Sequence, residues 1–313
     1  MKAERIWVAL LLGVACIWGA TFPIIKGATA DIPPLQFVAL RYGLASLLLI
    51  AVAAVWRRKV SGTTLGSGAI LGTLLFGGYV LQTLGLVHTS STNAAFLTGL
   101  SVIFVPVFGR LFFRVKLTRK IVAATGLATA GLWCLSGAGT IGLNLGDLME
   151  IGCAVFFGLH ILFVPRVGSR QDPLVLTAVQ MATVAVLAAI ASGFAEPRST
   201  LPRGLDSWWA LLFTGVLGSA LAYLVQMKAQ QKISPIKTAL IFSTEPLWGA
   251  VFAYLLAAER ISPMGYLGGV LLVIAMILME LPKRFPFRTT TRRASDRLRQ
   301  EELHPGAPAH LDA

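Results

Sequence analysis

Charge is scarce in this chain. Only 13% of its 313 residues are charged, about half the roughly 25% usual in a soluble domain. Too few polar side chains exist to cover a water-facing surface. Acids are the scarcer sign, 14 Asp and Glu against 27 Lys and Arg. Cysteine is rare as well: Cys16, Cys134 and Cys153 all fall inside apolar stretches, which excludes a disulfide framework and a metal-ligand spacing. No His-Glu-x-x-His, no Gly-x-Ser-Gly with a histidine partner, no second Asp beside Asp147 and no glycine-rich phosphate loop occurs. An intramembrane enzyme therefore lacks its groups, and no cofactor is expected.

Apolar residues are abundant, at 56% with a mean hydropathy of +0.74. Runs long enough to cross about 30 Å of hydrocarbon recur over residues 6–28, 34–55, 67–87, 92–113, 119–138, 147–165, 173–193, 207–227, 236–257 and 262–281. They are too long and too continuous for barrel strands, so their backbone must be satisfied within helices. The sequence predicts an all-α polytopic membrane protein of ten transmembrane helices. The first run is expected to stay as a helix, because it is longer than the apolar core of a signal peptide, about 7–15 residues, and shows no clear cleavage site.

The net charge of +13 invites a nucleic-acid reading, but its distribution speaks against one. With the N-terminus placed in the cytoplasm, most Lys and Arg fall in inside segments such as Arg57-Arg58-Lys59 and Arg114 to Lys120, and in the tail from Lys283. The outside loops hold only Arg198, Arg203 and Arg260. That asymmetry predicts a plasma (inner) membrane protein with both termini cytoplasmic, its basic residues meeting lipid headgroups.

The chain also contains one plan twice. A constant shift carries Tyr79, Gln82 and Ala95 onto Tyr223, Gln226 and Ala239, and Val107-Phe108 onto Val251-Phe252, without a gap. Each copy holds five spans, so the second enters the bilayer from the opposite face. The expected architecture is two inverted five-helix repeats, 6–138 and 147–281, followed by a basic disordered tail, 283–313. Inverted repeats around a midplane site are a recurring transporter plan.

Polar residues inside the spans are the candidates for such a site. Tyr79-x-x-Gln82 and Tyr223-x-x-Gln226 put a ring and an amide on one helix face; they line a cavity or bond between helices. Trp18 and Thr21 sit at the centre of the first span, whose repeat mate in the second copy is Phe157-Gly158-Leu159-His160; they line a cavity or pack between helices. Arg41, with Lys26 nearer the surface, is placed to face a carboxylate or phosphate, or else to pin helices together. Glu245 lies beside Pro246, which leaves a carbonyl free one turn earlier; it suits a cation, an amine or a proton. Its counterpart in the first copy is Ser101. His160 is a helix contact or a proton relay, and Asn93, Gln180 and Thr98 are weaker candidates. Glu150 is expected at the outer interface.

Taken in order, Trp18-Gly19-x-Thr21-Phe22, Pro34-x-x-Phe37-x-x-x-Arg41 and Thr244-Glu245-Pro246-Leu247-Trp248 followed by Glu259-Arg260-Ile261 resemble bacterial drug/metabolite transporters with two EamA domains, over about residues 6–281. The resemblance implies a central cavity opened alternately to each side, without ATP. It also implies a small-molecule substrate, most often an exported amino acid or related metabolite, with nucleotide sugars or phosphorylated sugars in other branches. Proton or counter-substrate coupling is open. The chain departs from the pattern at Val115-Lys116, where an acid is usual, and has no first-half acid matching Glu245. Both departures speak against a mechanism built on symmetric carboxylates. A non-transporting membrane scaffold is the reading from another class. Reporter fusions at the two ends are expected to mark the same cytoplasmic compartment; opposite compartments contradict an even number of crossings.

Overall fold

The computed structural model describes residues 2–135, 144–196, 202–257 and 263–280, and all regular structure among them is helical. The helices follow as α1 (Lys2–Ala28), α2 (Pro34–Val55), α3 (Gly62–His88), α4 (Ser91–Gly99), α5 (Ser101–Phe113), α6 (Arg119–Leu135), α7 (Leu145–Val167), α8 (Pro173–Ala195), α9 (Leu205–Leu212), a π-helix (Phe213–Leu221), α10 (Ala222–Gln230), α11 (Pro235–Phe242), α12 (Glu245–Ala257) and α13 (Pro263–Glu280). Among the described residues seven continuous segments are long and apolar enough to cross a membrane; α4 with α5 forms one, and α9 through α10 another. The remaining predicted spans coincide with α6, the α11–α12 pair and α13. The protein is a multi-pass, all-α membrane protein. The predicted tail and the Glu259-Arg260-Ile261 stretch lie outside the described residues.

Local chemistry sets the helix starts. Pro34, Pro173 and Pro235 each occupy a first turn, where the missing amide costs nothing. Asp172 accepts from the amides of Leu174 and Val175 at 2.9 and 3.2 Å. Asn144 and Asp147 form a reciprocal capping box on α7. The α2 terminus is capped from a distance: both carboxylate oxygens of Glu196 accept the amides of Leu35 and Gln36, at 2.8 and 2.9 Å. An anion at a helix N-terminus also meets the positive end of the dipole.

Two helices break at matching places. α4 ends at Gly99 and α5 resumes at Ser101, while α11 ends at Phe242 and α12 resumes at Glu245. At each break the backbone tightens to a bond three residues back, Leu100 to Leu97 and Thr244 to Ile241, both at 3.1 Å. The hydroxyls of Ser243 and Thr244 take up the carbonyls of Leu240 and Ile241, each at 2.7 Å. The π-helix is the third irregularity, a form that concentrates at functional sites.

The outer surface stays apolar: Leu47, Val55, Val186, Phe194 and Tyr266 are all exposed, as suits contact with acyl chains. Inside, α1 crosses α12 closely. A Cβ at Gly19 would lie 2.6 Å from Trp248 Cβ and 2.7 Å from the Gly249 nitrogen, so only hydrogen fits there. Gly13, two turns earlier on α1, has nothing within 4 Å of such a Cβ. Gly19→Ala is therefore expected to destabilise by about 1–3 kcal/mol, whereas Gly13→Ala stabilises its helix by about 0.5–1 kcal/mol. Thermal unfolding of the two variants in detergent checks the opposite signs.

Candidate functional site

A small cavity of about 30 Å³ is enclosed by α1, α3, α4, α5, α7, α10, α11 and α12. Its polar lining is Thr21, Gln82, Thr98, Ser101, His160, Gln226 and Glu245; Trp18, Tyr79, Phe157, Tyr223 and Phe242 supply aromatic walls. That volume holds about one water, so the cavity is too small for a metabolite as it stands. Larger hollows of about 610 and 420 Å³ lie against α2 and α8, among exposed apolar side chains such as Ile50, Val186 and Leu48. Their walls are almost wholly apolar and they open on the lipid-facing surface, so size alone does not mark the site. The convergence of polar groups on the small cavity does.

The two repeat-matched tyrosines meet at its centre, with Tyr79 Oη and Tyr223 Oη 2.7 Å apart. Around them the rings interlock: Trp18 lies 5.3 Å from Tyr223 and 4.8 Å from Phe242, and Tyr79 lies 4.9 Å from Phe157. Such tilted pairs contribute about 0.5–1.5 kcal/mol each beyond area burial. The Trp18 indole N–H donates to the Gly218 carbonyl at 2.8 Å, and the Thr21 hydroxyl donates back to the Trp18 carbonyl at 2.7 Å.

The amides are held by one end. Gln226 Nε2 donates to Gln230 at 2.9 Å, and Gln230 in turn donates to the Ile161 carbonyl at 2.9 Å. Gln226 Oε1 is buried with no partner. Gln82 Nε2 makes a long 3.5 Å bond to the Thr98 hydroxyl. His160 Nε2 lies 2.8 Å from Gln180 Oε1, and its ring meets Tyr223 edge-on at 5.8 Å. Glu245 is 9% exposed, and its carboxyl forms no hydrogen bond or ion pair among the described residues. It is also the first residue of α12, as Ser101 is of α5. Two helix N-termini, with their positive dipole ends, thus face one pocket.

Eight of the ten candidate residues come together here: Trp18, Thr21, Tyr79, Gln82, His160, Tyr223, Gln226 and Glu245. Arg41 and Asn93 do not. Arg41 is 1% exposed and lies behind the wall. Its Nε donates to Ser219 Oγ at 2.8 Å, Nη2 reaches the Gly218 carbonyl at 3.5 Å, and the guanidinium packs 5.0 Å from the Tyr79 ring. The guanidinium is occupied by helix-to-helix contacts, so it does not present itself to a ligand in this state. Asn93 is half-buried in the first turn of α4, where its amide completes the Ser90 cap. Lys26 donates to the Thr89 carbonyl at 2.5 Å. Glu150, expected at the outer interface, lies in the second turn of α7 and is fully buried among the helices. Phe242 and Ile161 carried no signal beyond apolarity, and only contacts from other helices place them at the cavity.

The model of the EamA-like transporter family matches residues 5–137 and again 144–281. The chain belongs to the EamA-like transporter family. It is similar to an uncharacterized transporter of Archaeoglobus fulgidus, 29% identical over 279 residues, covering 89% of this chain and 87% of the relative. The uncharacterized transporter YyaM of Bacillus subtilis is 25% identical over 94% of this chain and its own full length. The uncharacterized inner membrane transporter YedA of Escherichia coli is 24% identical over 87% of this chain and 90% of its own. A protein of solved crystal structure shares the fold, with a TM-score of 0.72 at 19% identity, over 87% of this chain and 96% of that one. The EamA-type chain is thus a membrane transporter whose polar cavity lies among its helices.

Arg41→Gln is expected to destabilise this transporter by about 2 kcal/mol or more, since hydrogen bonds to a charged group contribute about 1.5–3 kcal/mol. Lys26→Gln, at an exposed position, should cost clearly less. Melting temperatures of the purified variants compare the two.

Proposed function

We propose that the protein is an alternating-access carrier that exports amino acids or related small amine-bearing metabolites across the plasma membrane. In this reading the halves 6–138 and 147–281 are inverted repeats giving ten crossings, with both termini in the cytoplasm. The observation that carries it is the unpartnered Glu245 carboxyl in an aromatic-walled pocket. A protonated amine would satisfy that carboxylate and rest against Trp18, Tyr79 or Tyr223 by cation–π contact. A substrate carboxylate would meet Ser101 at the positive end of α5, and Gln226 Oε1 would accept a further N–H. A zwitterion therefore uses both polarities that the lining offers.

A phosphorylated or nucleotide sugar suits the pocket less well. No Lys or Arg belongs to the lining, and Arg41 is committed to Ser219 and Gly218. The volume of about 30 Å³ requires the halves to part before any metabolite enters, which agrees with a carrier caught between its open states. The matched breaks at Leu100 and at Ser243-Thr244 give each half a place to flex.

Purified protein in proteoliposomes, offered a mixed pool of labelled amino acids and amines, is expected to show saturable uptake. Glu245→Gln and Gln226→Ala should each lower flux by about tenfold, equivalent to about 1.4 kcal/mol, with membrane expression intact. Absence of flux across a broad metabolite set sinks the carrier reading; loss of expression in Gln226→Ala shows that the amide serves packing.

A further inference from the structure

A second acid lies just behind the cavity wall. Glu150 on α7 is 0% exposed, within a membrane-crossing helix. Its Oε2 accepts a hydrogen bond from the Thr98 hydroxyl at 3.0 Å, while Oε1 has no partner. Thr98 itself lines the cavity and receives the long bond from Gln82. The fit around the carboxyl is close: a Cβ at Gly85 of α3 would come within 2.9 Å of Oε1.

Among the described residues no cation pairs with this group. Neither ion pair among the described residues includes it. The titratable groups acting on it are Asp147 and Cys153 from its own helix and Glu245 from α12. From α3 and α4 it meets the neutral Gly85 and Thr98. The other helices packed on α7 bring Arg110 of α5 and Lys228 of α10, both exposed, and Lys237 of α11, which binds Glu4 at 2.7 Å. An ionised carboxylate here would be a buried charge among acids, whereas a carboxylic acid is neutral. One turn earlier on the same face, Asp147 accepts the Thr89 hydroxyl at 2.6 Å and the amide of the exposed Asn144 at 3.2 Å. A polar series thus runs from Asn144 through Asp147 and Glu150 to Thr98 and the cavity.

We propose that Glu150 is a proton-binding site joined to the central cavity through Thr98, and that its loading and release accompany each transport cycle; the coupling half of this rests on the carrier reading. In the loaded form the proton sits on Glu150 and Thr98 bonds to the other oxygen. On release the Glu150 carboxyl turns so that its O–H faces Thr98 Oγ, the Thr98 hydroxyl turns its own hydrogen to the cavity, and the Glu150 O–H bond breaks as the proton passes to Thr98 Oγ. The hydroxyl's former proton leaves to a water in the opened cavity, and Glu150 remains as carboxylate. Uptake reverses these steps. Acids within membrane spans that line up in this way serve as proton relays; here Asp147 and Glu150 are neighbours on one helix face rather than hydrogen-bonded to each other. This role differs from that of Glu245, which faces the cavity directly and binds substrate.

Infrared spectra of the purified full-length protein in lipid nanodiscs test the site without any substrate. At neutral pH the wild type is expected to show a protonated-carboxyl C=O band that shifts in deuterium oxide. Glu150→Gln should remove it, and Glu245→Gln should leave it in place. Thr98→Val, which keeps the acid but deletes its hydrogen bond, should move the band to higher frequency and keeps the test decisive if Glu150→Gln does not fold. No band in the wild type, a band unchanged in Glu150→Gln, or one unmoved in Thr98→Val overturns the proton site. In proteoliposomes, an imposed pH gradient should change wild-type flux of the labelled pool by several-fold and leave Glu150→Gln flux unchanged. Wild-type flux indifferent to the gradient overturns the coupling. No flux at all overturns the carrier reading and the coupling with it, while the spectra still decide whether Glu150 holds the proton.

Discussion

The Gly218 carbonyl is the point on which the interior depends. It lies in the π-helix and accepts from Trp18 of α1 and, at longer range, from Arg41 of α2. Hydrocarbon offers no water to an unsatisfied donor, so a fully buried guanidinium and a buried indole must find protein oxygens. One short stretch, Gly218-Ser219, supplies them. Two helices of the first half are thereby fixed to one segment of the second. The Trp18 ring is then set against Tyr223 and Phe242, and the guanidinium against Tyr79. The shape of the cavity follows from where these donors are satisfied.

Much of the helical layout was legible in the sequence. Apolar runs bounded by Pro33-Pro34, Asp172-Pro173 and Ser234-Pro235 are helix starts for a physical reason, and the structure begins helices there. The Tyr-x-x-Gln pairs were legible because an amide at helical spacing from a ring must turn away from lipid, and both pairs line one cavity. What stayed open was direction and burial. Arg41 reads as a ligand-facing cation or as a helix pin until Ser219, far away in sequence, is seen to occupy it. Glu150 lies near a span end in sequence, and only the α3–α7 and α4–α7 packing shows that it is enclosed. The interruption at Ser243-Thr244 was announced by Pro246, whose missing amide frees the Phe242 carbonyl, and hydroxyls bonding back to carbonyls stabilise it; the break at Leu100 has only Gly99 beside it.

Asymmetry between the halves is concentrated in the lining. At the positions that open α5 and α12, one half has Ser101 and the other Glu245. Both sit at positive helix ends, so the backbone treats the two sites alike while one side chain is a hydroxyl and the other an acid. A ligand with two unlike ends can be held in one orientation by such a pair. The small volume has a simple cause: the rings of Trp18, Tyr79, Phe157, Tyr223 and Phe242 pack against one another over the polar groups.

The contact between Tyr79 and Tyr223 has a consequence of its own. Two chemically identical hydroxyls share one short bond, and only one of them can be the donor. The other keeps a hydrogen that must point elsewhere, toward one half of the molecule or the other. A duplicated chain is thus forced to be unequal at its most symmetric point, by its hydroxyl hydrogens alone, with the heavy atoms left where they are. Reversing which half carries the spare hydrogen takes both hydroxyls turning together, so the inequality can change sides only as a concerted step.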